Sequence, residues 1–237
     1  MIRKAIPLAA IAAVSAPLSA AEIQIQSSGP VVELTISESV RQAPDIATIG
    51  AGVSSEAATA VQAMRSNADA MSGVIAKIKA LGIDEDDIQT TGINLNARYD
   101  YDRTNQKQVF RGYVASNQVR VTLRDIDTTG RVLDALVAAG ATDINGPSFS
   151  IDDDTAAKAQ ARKAAMETAR DQAMEYAGWA GYSDIRLLEV SEAIQYNAPQ
   201  PMMRTMEAVQ ESAASTPVQP GMVSSGVTVT VKYEMVQ

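Results

Sequence analysis

The sequence predicts an α+β protein: mixed, largely antiparallel sheets with two longer helices and one short helix packed on them, plus a long protruding β-hairpin. Three observations carry this. Apolar and polar residues alternate at Val32, Leu34 and Ile36, and again at Val227, Val229, Val231, Tyr233 and Met235, the period of half-buried strands. Ala57, Val61, Met64, Ala68, Met71, Ile75 and Ile78 recur at helical spacing, which marks an amphipathic helix. Two long alternating segments flank the polar stretch 103–108, the pattern of a hairpin.

Taken in order, the chain opens with Arg3 and Lys4, then an uncharged apolar run from Ala5 to Leu18, then Ser19-Ala20-Ala21. A positive start, a short apolar middle and small residues before a cut are the three zones of a secretory signal peptide. The run falls short of the roughly 20 residues a membrane-spanning helix needs. Residues 1–21 are therefore expected to be removed, leaving 22–237 as a single domain. The strand at Val32–Ile36 and one at Ala47, Ile49, Ala51 and Val53, after Pro44-Asp45, are expected to pair as a hairpin. The first helix follows, capped by Ser54 or Ser55, with Met71, Ile75 and Ile78 deeply buried. Gly82 ends it in the left-handed conformation.

Ile93, Leu95, Ala97, Tyr99 and Tyr101 line one face of the outgoing arm, and Val109 to Leu123 returns. Asp127 is expected to cap a short helix with Val132, Leu133, Leu136 and Val137 inside and Gly140 at its end. Ile144 to Ile151 reads as a strand broken by Gly146-Pro147. Asp152, Asp153 and Asp154 open an Ala-rich helix to about Ala180, with Ala159, Met166, Ala169, Ala173, Tyr176 and Ala177 on its packed face and Trp179 in the core. Ile185 to Ile194 is a further strand. Residues 197–219, with Pro199, Pro201 and Pro217, show no period and read as a mobile loop. The helix–Gly–strand succession recurs at Leu81-Gly82-Ile83 and Ala139-Gly140-Ala141, the echo of a duplicated strand–helix–strand unit.

Composition narrows the chemistry. The chain has no Cys and no His. That excludes a Ser-His-Asp triad, a thiolate nucleophile, zinc sites of the usual ligands and a haem held by His or Cys. Without Arg3 and Lys4, 18 basic residues face 28 acidic ones, a net charge of −10, which repels nucleic acid. No cofactor is expected.

The order and spacing of several motifs resemble the SIMPL-domain family, which includes periplasmic immunogenic proteins of Gram-negative bacteria. The matching stretches are Pro44-Asp45, Ala68 to Leu81 with Gly82-Ile83, Asp87-Ile88-Gln89-Thr90, Tyr99-x-Tyr101, Gly112-Tyr113-x-Ala115-x-Asn117, Gly140-Ala141, the Ala- and Arg-rich run Ala161 to Ala177, and Pro220-Gly221. Ser28-Gly29-Pro30 departs from the Gly-rich start of the first strand in many members. The resemblance implies an α+β protein of the periplasm, or one associated with the outer membrane, with no established enzymatic activity. It also implies a homo-oligomer, since some members are said to form large ring- or channel-like assemblies, and a link to oxidative-stress tolerance.

Two groups of residues stand out as candidate sites. Tyr99, Tyr101, Phe110 and Tyr113 on the arm suit cross-strand packing, a subunit interface or a small-ligand platform. Met202, Met203 and Met206, with Met222 beyond, offer thioethers that can hold Cu(I) or absorb oxidants reversibly; a loop that merely carries Met is the alternative. The acids Asp84 to Asp87 read as a solvated turn, lacking the spacing and central Gly of an EF-hand loop. Asp152 to Asp154 read as complementing a helix dipole.

Overall fold

A computed structural model describes residues 27–193 and 215–237. The signal-peptide stretch 1–21 and most of the 197–219 loop lie outside the described residues. Seven strands form two antiparallel sheets with three α-helices, the predicted α+β class.

The larger sheet has the order β3-β4-β2-β5, built from β2 (Ile46–Ala57), β3 (Ile88–Asp102), β4 (Lys107–Leu123) and β5 (Asp143–Ser150). Helix α1 (Ala60–Ala80) joins β2 to β3, and α2 (Thr129–Ala138) joins β4 to β5. The chain order β-α-β-β-α-β with this strand order is the split βαβ arrangement of ferredoxin-like folds. The sequence echo is real: two strand–helix–strand units interleave, with β4 and β2 side by side at the centre. Ile49, Val121, Val74, Ile78 and Leu136 are among the fully buried side chains between this sheet and its helices.

The smaller sheet has the order β1-β7-β6, from β1 (Val31–Gln42), β7 (Val223–Val236) and β6 (Asp184–Ala193). The expected β1–β2 hairpin does not form. Instead β1 pairs along its whole length with β7, from Val31 opposite Glu234 to Gln42 opposite Val223. Period-two alternation marks a strand but does not name its partner. Helix α3 (Thr155–Trp179) covers β1 and β7. It buries Ala157, Ala161, Ala165, Ala169, Ala173 and Ala177, one every fourth residue. Alanine at each contact lets the backbone approach Val227, Val229 and Val231 beneath it, along an oblique row of the kind helices pack with.

Helix positions shift accordingly. In α3, Ala169, Ala173 and Ala177 face the core as expected. Ala159 and Tyr176 are exposed, Met166 is half-buried, and Trp179 is 75% exposed. In α1, Met71 and Ile78 are buried as expected, joined by Val74. Ile75 and Met64 are half-buried, and Val61 and Ala68 are exposed. The first half of the helix turns Ala63 and Asn67 inward instead. Asn67 donates from Nδ2 to the carbonyls of Val53 (2.8 Å) and Ala115 (3.0 Å), so a buried amide is satisfied by the two central strands.

The helix ends also differ in detail. Thr59 rather than Ser54 or Ser55 caps α1, its hydroxyl accepting from the Gln62 amide at 3.3 Å; both serines lie in β2. Asp127 lies inside a single 3-10 turn, Ile126–Thr128, and Thr128 occupies the N-cap of α2. Val137, expected inside, is 61% exposed. Gly82 adopts φ of +85°, the left-handed end foreseen for α1, and Gly140, expected at the end of α2, adopts φ of +97°. Residues 215–219 belong to the stretch read as mobile, yet they are fastened to α2. Thr216 donates to Asp134 from its amide (3.1 Å) and its hydroxyl (2.6 Å), and Val218 packs on the larger core.

Candidate functional site

Strand β4 is the organising element of the arm. Its half from Tyr113 to Leu123 pairs with β2, while the half from Lys107 to Gly112 pairs with β3 alone. The hairpin therefore projects beyond the sheet as two strands. Its tip is held by Asp102, which accepts from the amides of Thr104 (2.9 Å) and Asn105 (3.2 Å) and from the Asn105 side chain (2.8 Å). These hydrogen bonds, the Asn105 side chain's foremost, keep the Asp102 carboxyl below its usual range.

At the root of the arm the register slips between Arg98 and Tyr99, so that Arg98 faces Gly112 and Tyr99 faces Phe110. Arg111 is the extra residue, a bulge. Gly112 has φ of +143°, and a Cβ there would lie 2.5 Å from the Ala57 carbonyl oxygen. The bulge can sit this close to the end of β2 only because residue 112 lacks a side chain. Arg111 pairs with Asp100 at 3.0 Å, and Arg98 pairs with Glu56. These ions surround an open hollow of about 250 Å³ lined by Glu56, Arg98, Arg111, Gly112 and Tyr113. The cations already have carboxylate partners.

Alternation along β3 places Ile93, Leu95, Ala97, Tyr99 and Tyr101 on one face. Helix α1 lies over β2 and β4 and barely reaches β3, so the stripe is uncovered: Ile93 is 55% exposed, Leu95 40%, Tyr99 54%, Tyr101 62% and Phe110 46%. Tyr99 and Phe110 meet edge to face at 5.6 Å, as do Phe110 and Tyr113 at 5.3 Å. Tyr113 is half-buried. All four aromatics named from the sequence thus share one surface. Ile93 and Leu95 extend it, and strand alternation had already placed them on that face.

β3 is also an edge. Among the described residues no strand pairs with its outer side, and the stretch Gln89 to Ala97 holds neither a charge nor a proline. Edge strands usually carry such features to block pairing with another chain.

The other candidates are placed differently. Met202, Met203 and Met206 lie outside the described residues; Met222, just before β7, is 55% exposed. Among the described residues no three His, Cys, Asp or Glu side chains are grouped to hold a metal. Within the acidic turn, Glu85 pairs with Lys79 at 2.9 Å, and Arg124 clamps Asp87 through two bonds of 2.9 and 3.0 Å. Arg124 also reaches Asp152 at 2.7 Å, tying the turn to the start of α3. Asp153 accepts from the Thr155 amide at 3.0 Å, the helix-start role expected of the run, whereas Asp154, at the N-cap of α3, makes no side-chain capping bond.

One group escaped the sequence reading. By alternation with Tyr233 and Met235, Glu234 falls on the polar face of β7, away from α3, but its side chain is fully buried. Ser28 and Gly29 fold over it: its Oε1 accepts from the Ser28 amide (2.5 Å), the Ser28 hydroxyl (2.9 Å) and the Gly29 amide (2.6 Å). Arg186 holds the other oxygen. Bonds from Ser28 first, then Arg186, lower its pKa to about 2.

Comparison with known proteins places this architecture. A family described as SIMPL, protein of unknown function (DUF541), matches residues 32–233. The chain is 31% identical over 231 residues to the 26 kDa periplasmic immunogenic protein of Brucella melitensis biotype 1, covering 95% of this chain and 92% of that protein. It is 32% identical over 209 residues to the uncharacterized protein YggE of Escherichia coli K12, covering 86% and 82%. To YggE of Edwardsiella ictaluri it is 27% identical over 210 residues, covering 87% and 86%.

Proposed function

The chain belongs to the SIMPL family, and on that footing we propose that it is an exported, non-catalytic periplasmic protein that assembles with copies of itself through β3 and the arm. The observation that carries this reading is the open edge of β3, 15 residues long and bearing the exposed stripe Ile93, Leu95, Tyr99 and Tyr101. An unpaired edge offers a second chain a row of N–H and C=O groups, and the apolar stripe beside it gains by leaving water. Periplasmic residence is supported by the name of the Brucella relatives, 26 kDa periplasmic immunogenic protein. The absence of His and Cys removes the commonest nucleophile and base pairs. The assembly serves envelope or oxidative-stress tolerance, at the outer membrane or free of it.

Light scattering of the purified protein at tens of micromolar should show a large particle. Ile93→Lys with Leu95→Lys should reduce it to smaller species while the circular dichroism spectrum is kept, because edge lysines oppose strand pairing. A wild-type protein that stays monomeric overturns the reading.

A second reading, a Cu(I)-binding or oxidant-buffering module, rests on Met222 and its exposure beside Met202, Met203 and Met206 in sequence. Cu(I) competition titration of the protein with all four changed to Leu should then show affinity falling by about tenfold or more. An unchanged affinity disposes of it.

A further inference from the structure

The C-terminal tip of α3 presents an aromatic pair that the other described residues leave exposed. Trp179 is 75% exposed and Tyr176 44%. They meet edge to face, with centroids 5.4 Å apart and ring planes at 80°. Trp179 stands off the alanine row that seats the helix, so its ring contributes little to the core. Gly178, Ala180 and Gly181 around it are also exposed and uncharged. Packing does not account for a tryptophan left in water at a helix end.

We propose that this tip docks onto a lipid surface, with the Trp179 and Tyr176 rings seated at the headgroup level of an electrically neutral bilayer. Three features favour lipid over other partners. Tryptophan and tyrosine pair an apolar ring with a polar N–H or O–H, which suits the membrane–water boundary. A fully buried aromatic side chain removes roughly 150–250 Å², and Tyr176 is already more than half covered, so docking both rings stays well below the ~800 Å² per partner of a stable protein interface. The near-perpendicular rings form no flat platform on which a sugar could stack. Charge selects the lipid: Glu175 lies one helical turn before Trp179, and the last turn of α3 holds no basic residue, so anionic headgroups are repelled.

The chain has one tryptophan, so its fluorescence reports this position alone. With phosphatidylcholine vesicles the emission should shift to the blue and be quenched by brominated acyl chains; phosphatidylglycerol vesicles should give a weaker response. Co-sedimentation with phosphatidylcholine vesicles should fall by about tenfold or more in Trp179→Ser with Tyr176→Ser. Both side chains are exposed, so that variant should melt like the parent. The Ile93→Lys, Leu95→Lys variant should keep its blue shift, which separates this proposal from assembly through β3. No shift with either vesicle overturns it. So does a shift produced by soluble peptidoglycan fragments, or one that grows with protein concentration in the absence of lipid.

Discussion

Replacing Ile78 by alanine should lower the free energy of unfolding by about 2–5 kcal/mol, the range for a large aliphatic side chain removed from a close-packed site. Ile78 has no exposed surface and lies in the same cluster as Val74, Ile49, Val121 and Leu136. Its removal forfeits the transfer energy of three methyl or methylene groups and leaves a cavity that strands on one side and a helix on the other cannot close. Ile75→Ala is the control. The bare helical spacing gives Ile75 the same depth, but it is half-buried, so water can occupy part of the vacated space and the loss should be distinctly smaller. Urea melts of both variants decide this. Equal losses would mean that α1 is rotated from the orientation described.

Glu234→Gln should destabilise the smaller sheet at neutral pH and remove the part of the protein's acid sensitivity that Glu234 contributes. The carboxylate accepts three bonds from Ser28 and Gly29 and is paired with Arg186. An amide keeps the shape but presents only one carbonyl oxygen and loses the charge. The pKa of Glu234 falls from 4.5 to about 2 on folding. A depressed carboxylate pKa adds stability that is complete above the unfolded pKa and is lost as pH drops through the folded one. The wild type should therefore weaken steadily between about pH 4.5 and 2, and the variant should show a flatter profile there. The cluster stands at the margin of the sheet, with Arg186 exposed, so added salt should lessen the difference. Denaturant melts at stepped pH test this; parallel wild-type and variant profiles would contradict it.

Much of the architecture can be read along the chain because it follows from local periods. The alternation from Val227 to Met235 marked a strand, and the spacing from Met71 to Ile78 a helix. Gly82 and Gly140 marked two helix ends through a backbone conformation that favours glycine. The aromatic surface was legible too, since Tyr99 and Tyr101 had to share a face, and the hairpin turn had to bring Phe110 near them. Trp179, expected in the core, is exposed instead, because the row of fours from Ala161 to Ala177 that buries α3 passes over position 179.

Other features depend on segments distant in sequence. β1 was expected to turn back on β2; it closes instead on β7, about 190 residues later, because an alternating strand fits any neighbour whose apolar face agrees with its own. Glu234 is outward-facing by period, and only the crossing of Ser28 and Gly29, more than 200 residues earlier in the chain, buries it. The open edge of β3 arises because, among the described residues, β4 is its only strand neighbour. The sequence by itself determined the strands, the helices and the alternating faces of the strands, since these follow short local periods; which face of each helix packs was settled by the sheet beneath it, as the inward turn of Ala63 and Asn67 in α1 shows. The tertiary structure alone decided which edges pair, which stay open and which charge is enclosed, because those outcomes depend on contacts between segments that no local period relates.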